Sequence, residues 1–370
     1  MSGPTVDEDQ GSIITVDGRI DPDDLGVTLP HEHLFADWRD VKYDPPESAV
    51  ERRIAEEPIT LENLHYVKKH YFSNEDNLRL DSVTEAVEEL ERFQQAGGQS
   101  FVDVTPKNVG GDPARVRRVA RSTGVNIVHG TAYYTRNAHP PGLKDRTVND
   151  LTEEFVCDVR DGIGDTDVRA GIIGEIGLSG SIHDTEETVL RAAANAARKT
   201  GVALTIHPPG AVPESHGRGE SPASKWGLEV LDIAEQEGLP PERVIIGHMD
   251  MSYWYENLDF QRRIAERGAY VEYDIFGQKS YLYKPTYQDA WPSDVQRAER
   301  VAELIADGYG DRILLSGDVF LKVHRSTYGG FGYAHVLENV VPILRGLDVD
   351  EAAIDRMLVE NPRRVLTVTG

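Results

Sequence analysis

The sequence predicts an α/β fold, a (β/α)8 TIM barrel spanning residues 1–370 as one domain. Three observations predict it. Short apolar, β-branched runs occur eight times along the chain. Amphipathic helical segments alternate with them, the order that a closed parallel sheet requires. Histidines and carboxylates stand at the C-terminal ends of five of the eight runs, the face on which barrels carry their chemistry.

The runs cover residues 26–29, 100–105, 126–132, 170–176, 203–206, 244–246, 269–273 and 313–316. They are continuously apolar, which suits strands covered on both faces. Between them, residues 82–96 place Val83, Val87, Leu90 and Phe93 at helical spacing. Residues 112–123 open with Asp112 as N-cap and Pro113 at the first helical position. Residues 185–200 and 225–237 also read as helices. An open doubly wound sheet is the competing arrangement, but no glycine-rich phosphate-binding turn follows the first run. Residues 12–24 read as a small hairpin that plugs the far end of the barrel. Insertions follow the first, fifth, seventh and eighth strands, at 37–80, 210–224, 278–294 and 319–333. In barrels such loops build the active-site face.

Composition narrows the function classes. The formal net charge of −24 repels phosphate backbones, so nucleic acid is excluded as a partner. Arginine outnumbers lysine roughly threefold, and the acids are spread along the whole chain. Two readings of this acidity stay open, adaptation to high salt and an acidic cytosolic surface. No apolar stretch reaches the roughly 18 residues of a membrane span. Residues 1–10 lack the basic-then-apolar build of a signal peptide, so the expected location is cytoplasmic. A single cysteine, Cys157, excludes an intrachain disulfide framework and a cysteine-based zinc site. A homodimer is expected, with Tyr66, Tyr71 and Phe72 of the first insertion as contact aromatics; packing into the core is the other reading of those three.

The chemistry lies at the strand ends. Strand one ends Pro30-His31-Glu32-His33, strand four Gly174-Glu175-Ile176-Gly177, and strand five Thr205-Ile206-His207-Pro208. Strand six ends Gly247-His248-Met249-Asp250, and strand eight Ser316-Gly317-Asp318. Four histidines and two carboxylates therefore converge on one mouth. Residues two apart on a strand face the same side, so His31 and His33 can reach one ion. Imidazole and carboxylate suit Zn2+ above all, with Mn2+ or Co2+ as alternatives. Burying so many ionisable groups without a cation is costly. A lone strand-end histidine is more often structural; six such residues at five strand ends point to metal.

The carriers Gly26-Val-Thr-Leu-Pro-His31-Glu-His33, Gly174-Glu175-Ile-Gly177, Thr205-Ile-His207, Ile246-Gly-His248, Leu315-Ser-Gly-Asp318 and Tyr328-Gly-Gly-Phe-Gly-Tyr-Ala-His335 occur in one order. With the closing Asn361-Pro-Arg-Arg, they make the chain resemble the phosphotriesterase-like branch of the amidohydrolase superfamily. The resemblance implies two divalent metal ions. His31, His33 and Asp318 would hold the buried one and His207 and His248 the exposed one. Glu175 would bridge them where many members carry a carboxylated lysine. That departure counts against efficient organophosphate hydrolysis. The resemblance also implies that an acidified water attacks a polarised carbonyl, with Asp318 as proton acceptor and a strand-three tyrosine, aligned with Tyr134, near the substrate. Ile275 stands where quorum-signal lactonases and phosphotriesterases often have Arg or His. Lys322, His324 and Arg325, after Asp318, are candidate binders of an anionic group; Arg136 and Lys279 are weaker ones. The expected function is a lactonase acting on a sugar lactone or similar small polar lactone. The alternatives are an amidase of a small N-acylated acid, a weak phosphotriesterase and, last, a non-catalytic metal-binding barrel.

Overall fold

The computed structural model describes residues 6–179, 182–208, 222–254, 258–278 and 292–370. Eight parallel strands form one sheet and neighbour each other in chain order. They are β1 Thr28–Glu32, β2 Ser100–Asp103, β3 Asn126–Thr131, β4 Ile172–Gly177, β5 Ala203–His207, β6 Val244–Ile246, β7 Tyr270–Tyr273 and β8 Ile313–Leu315. The helices between them are α1 Val83–Gln95, α2 Pro113–Thr123, α3 Val148–Arg160, α4 Asp184–Thr200, α5 Pro222–Gln236, α6 Asp259–Glu266 and α7 Asp294–Ala306. After β8 the chain turns helical again at Val341–Gly346 and Asn361–Leu366.

All eight expected strands are present, but β1, β4 and β5 extend past their apolar runs to Glu32, Gly177 and His207. Their last residues are polar because they serve the mouth, so an apolar criterion ends each strand too early. The helix starts follow local chemistry. Ser82 caps α1 by accepting from Glu85 N, and Asp112 caps α2 by accepting from Arg115 N ahead of Pro113.

Inside the barrel, Val102, Val104, Val128, Ile172, Ala203, Ile245, Tyr270 and Leu314 pack into one cluster with Ile13, Leu25, Val365 and Leu366. Ile13 belongs to the N-terminal hairpin, Ile13–Thr15 paired antiparallel with Gly18–Ile20. Val16 N, just beyond its first strand, donates to Ile127 O at 2.8 Å. The hairpin thus stoppers the barrel floor as expected.

The seam between β1 and β8 is made by a side chain. Ser316 Oγ accepts from His31 N at 3.2 Å, and its one proton is shared between His31 O and Glu32 Oε1, each 2.8 Å away. Glu32 then accepts from Gly317 N at 2.7 Å and Val319 N at 2.8 Å. Above the mouth, the first insertion is tied at its base by Ala36–Asp37 pairing with Arg79–Leu80. Its Trp38, Val67 and Leu78 form a second small core with Tyr134, Phe320 and Leu321. Tyr71 and Phe72 pack against that core and Tyr66 is buried, so all three aromatics point inward. The expected insertions at 210–224 and 278–294 lie almost entirely outside the described residues, as does Lys279. Among the described residues, no helix is long and apolar enough to cross a membrane.

Candidate metal centre

Two register shifts interrupt the sheet, between Leu29 and Glu32 and between Ile173 and Ile176. Irregularities of this kind re-aim side chains, and here they deliver His31 and Glu175 to the mouth. His248 and Asp318 sit at φ 56° and 44°, a region costly for residues with a Cβ. Two of the three non-glycine residues at positive φ among the described residues are therefore candidate ligands; the third, Asp348, lies in a turn after β8.

Glu175 is the hub. Its Oε1 lies 2.9 Å from His207 Nδ1, 3.3 Å from His248 Nε2 and 3.4 Å from His31 Nε2. His33 Nε2 lies 3.1 Å from Asp318 Oδ1, and its Nδ1 is fixed by Thr105 Oγ1 at 2.8 Å. His31 Nδ1 is held by Glu272 at 2.9 Å and Asp274 at 3.2 Å. His248 Nδ1 is held by Asp274 at 2.9 Å. Partners behind the rings set which nitrogen faces the mouth.

The charges are tightly coupled. Burial opposes charge on His31, yet Asp274, Glu272 and Glu175 hold its pKa well above the ordinary histidine value. Burial is likewise outweighed at His248, where Asp274 and Glu175 push the pKa up to about 10. His207 is pushed down to about 4, chiefly by burial. Burial would raise Glu175, but His207, His248 and His31 hold it well below the carboxylate range. Protons on these rings stand in for positive charge that the surrounding carboxylates demand.

The donor set fits two metal ions. His31, His33 and Glu175 bring ligand atoms within 4.8 Å of one another, and so do Glu175, His207 and His248. The two groups share Glu175, the geometry of a bridge. His31 Nε2 is buried without a well-formed hydrogen bond among the described residues, as a ligand nitrogen would be.

A narrow cleft opens onto this cluster, lined by His33, Trp38, Lys42, Tyr134, Glu175, His207, His248, Asp318 and Phe320. The phosphotriesterase family model matches residues 11–366. The chain belongs to the phosphotriesterase family. Among individual proteins, this family member is similar to the N-acetyltaurine hydrolase of Dictyostelium discoideum. The two are 33% identical over 377 residues, spanning 97% of this chain and 98% of that relative. A resiniferatoxin-binding protein from Rhodobacter sphaeroides is 37% identical with a TM-score of 0.88, covering 96% of this chain and 95% of that one. A lactonase from Listeria monocytogenes, 24% identical, shares the fold with a TM-score of 0.74 over 97% of this chain and all of its own. The chain is thus a hydrolase-family barrel.

All six expected ligands of this phosphotriesterase-family site meet at the mouth. Tyr134, not Tyr133, faces the cleft, and its Oη lies 3.4 Å from His207 Nε2. Gly177 makes room for it, since a Cβ there would come within 2.3 Å of Thr135 N and 2.6 Å of the Tyr134 carbonyl carbon. The expected anion binders are not brought to the cleft. Lys322 Nζ is paired with Asp76 at 2.6 Å. Buried Arg325 donates to Leu34 O at 2.8 Å and lies 3.3 Å from Glu85. His324 is buried against Phe320 and Tyr71. Lys322 thus fastens the eighth loop onto the first insertion, and Arg325 fastens it to the loop after β1 and to α1. Arg136 is exposed, with Nη1 3.3 Å from His183 Nδ1.

Sequence reasoning missed Glu272 and Asp274. Their signal was present, two acids at alternate positions ending strand seven, but only Ile275 was weighed there. It also missed Lys42, Trp38 and Phe320, which come from a four-residue helix, its cap and a loop, all too short for a period to mark the inward side.

Proposed function

We propose that this protein hydrolyses the amide bond of a small N-acylated acid, using two divalent ions shared through Glu175, Zn2+ foremost. The observation that carries the amide reading over the lactone reading is the full-length likeness to N-acetyltaurine hydrolases, at 33% identity over 97% of the chain. Divalent ions bound in this donor set would supply Lewis acidity toward a carbonyl and toward an attacking water. His31, His33 and Asp318 would hold one ion, and His207 and His248 the other. Asp318 stands at the cleft, so its carboxylate takes the proton of the attacking water and delivers it to the leaving amine nitrogen. Burial, together with the Glu175 and Asp318 charges, raises the Tyr134 pKa well above its usual value, so the phenol stays protonated. Its O–H is a donor for the oxygen of the substrate carbonyl.

The test is product release from N-acetyltaurine and N-acetyl amino acids, beside a panel of sugar lactones, by metal-loaded protein. Amide turnover is expected to exceed lactone turnover, and Asp318→Asn is expected to lower it by about 10²–10⁴-fold. Lactone turnover that exceeds amide turnover and vanishes in the same variant would move the assignment to a lactonase.

A further inference from the structure

Lys42 ends the short helix Arg39–Lys42 in the first insertion, and its side chain enters the cleft. Its Nζ stands 5.5 Å from the Trp38 ring, 5.8 Å from Phe72, 5.4 Å from Tyr134 and 5.3 Å from Phe320. It donates to Tyr134 Oη at 3.2 Å. Among the described residues, no carboxylate comes within the 4.0 Å of an ion pair with it, whereas Lys322 and Lys107 at the rim of the same face are paired with Asp76 and Glu154. The two carboxylates that act on Lys42 from further away, Asp318 and Glu175, are already engaged by His33 and by His207, His248 and His31. Four aromatic faces steady the ammonium without neutralising it. A cation built into a cleft with no carboxylate partner is a receptor for an anion.

Its position sets the length of that anion's carrier. Tyr134 Oη touches Lys42 Nζ on one side and lies 3.4 Å from His207 Nε2 on the other. The ammonium is therefore one hydroxyl bridge away from the ligand cluster. A substrate with its scissile carbonyl at the His207 side would therefore present a short amine half to Lys42. We infer that Lys42 is a substrate-specificity residue that binds a sulfonate or carboxylate carried on the amine half of the substrate, so that the preferred amides are N-acyl amino acids or amino sulfonates of that length. The inference rests on the amide reading above. It differs from the expectation for Lys322 and Arg325 in assigning anion recognition to the first loop instead of the eighth.

The experiment compares metal-loaded wild type, Lys42→Met and Lys42→Arg on three matched amides: N-acetyltaurine, N-acetyl-β-alanine and neutral N-propylacetamide. Wild type is expected to prefer the anionic amides. In Lys42→Met that preference, as a ratio of kcat/KM values, is expected to fall by about 10–100-fold, mainly through KM, with part of it restored in Lys42→Arg. The order of the two anionic substrates in wild type separates sulfonate from carboxylate. An equal loss on all three amides, leaving the ratio unchanged, would overturn the role given to Lys42. Calorimetric titration with propane-1-sulfonate keeps this separate from the amide reading. If wild type cleaves none of the amides, loss of sulfonate binding in Lys42→Met still upholds the anion site while the amidase falls. Equal sulfonate affinity in the two proteins overturns the site.

Discussion

Asp274 serves two histidines at once. One carboxylate oxygen lies 3.2 Å from His31 Nδ1, and the other lies 2.9 Å from His248 Nδ1 across the mouth. Through this carboxylate the two halves of the ligand set share an orientation. Asp274→Asn is expected to weaken metal affinity by about 10–100-fold, read by chelator competition, because His248 loses the carboxylate that fixes its tautomer while His31 keeps only Glu272. A second residue-scale prediction concerns His324, which is buried with neither ring nitrogen hydrogen-bonded among the described residues. Burial pushes its pKa down to about 4 from 6.5. The unfolded chain therefore binds a proton between those values that the folded chain refuses, so stability falls as pH drops below about 6.5. At pH 5 this costs about 2 kcal/mol, and His324→Phe is expected to flatten that part of the acid-melting curve. The histidines of the mouth were legible in the sequence because His-x-His and single histidines closing apolar runs announce a strand end. Lys42 was not, since its inward direction is imposed by Trp38 and Phe320, far apart in sequence.

At the scale of elements, the strands and helices were legible because both faces of a barrel strand are apolar and the helix caps are local. Their ends were not, because the last residue of a catalytic strand is polar by necessity. The seam was invisible too, being made by Ser316 Oγ between His31 N and O in place of a ladder. Ser316→Ala is expected to lower stability by about 1–3 kcal/mol in denaturant unfolding, since it leaves buried backbone groups unpaired. The same change is expected to loosen His31 and thus lower metal affinity, which a purely global destabilisation would not do in protein that remains folded.

For the whole molecule, the net charge of −24 is the dominant fact. Arginines such as Arg262 and Arg267 each bridge two or more acids, Arg262 with Asp259, Glu303 and Asp307 and Arg267 with Asp232 and Glu235. They lessen the self-repulsion without removing it. Raising salt from about 0.1 to 1 M, where the Debye length falls from about 10 to 3 Å, is expected to raise Tm by several degrees. A salt-independent Tm would favour the merely acidic reading of the surface.

The seam has a further consequence, in time instead of space. His31 and its partner Ser316 are separated by 285 residues of chain, and His33 waits as long for Asp318. During synthesis, therefore, His31 and His33 emerge long before Ser316 and Asp318, the residues that complete their contacts. A metal site built from these residues would form only once β8 had been made, and an ion held there would fasten the oldest strand of the barrel to its newest.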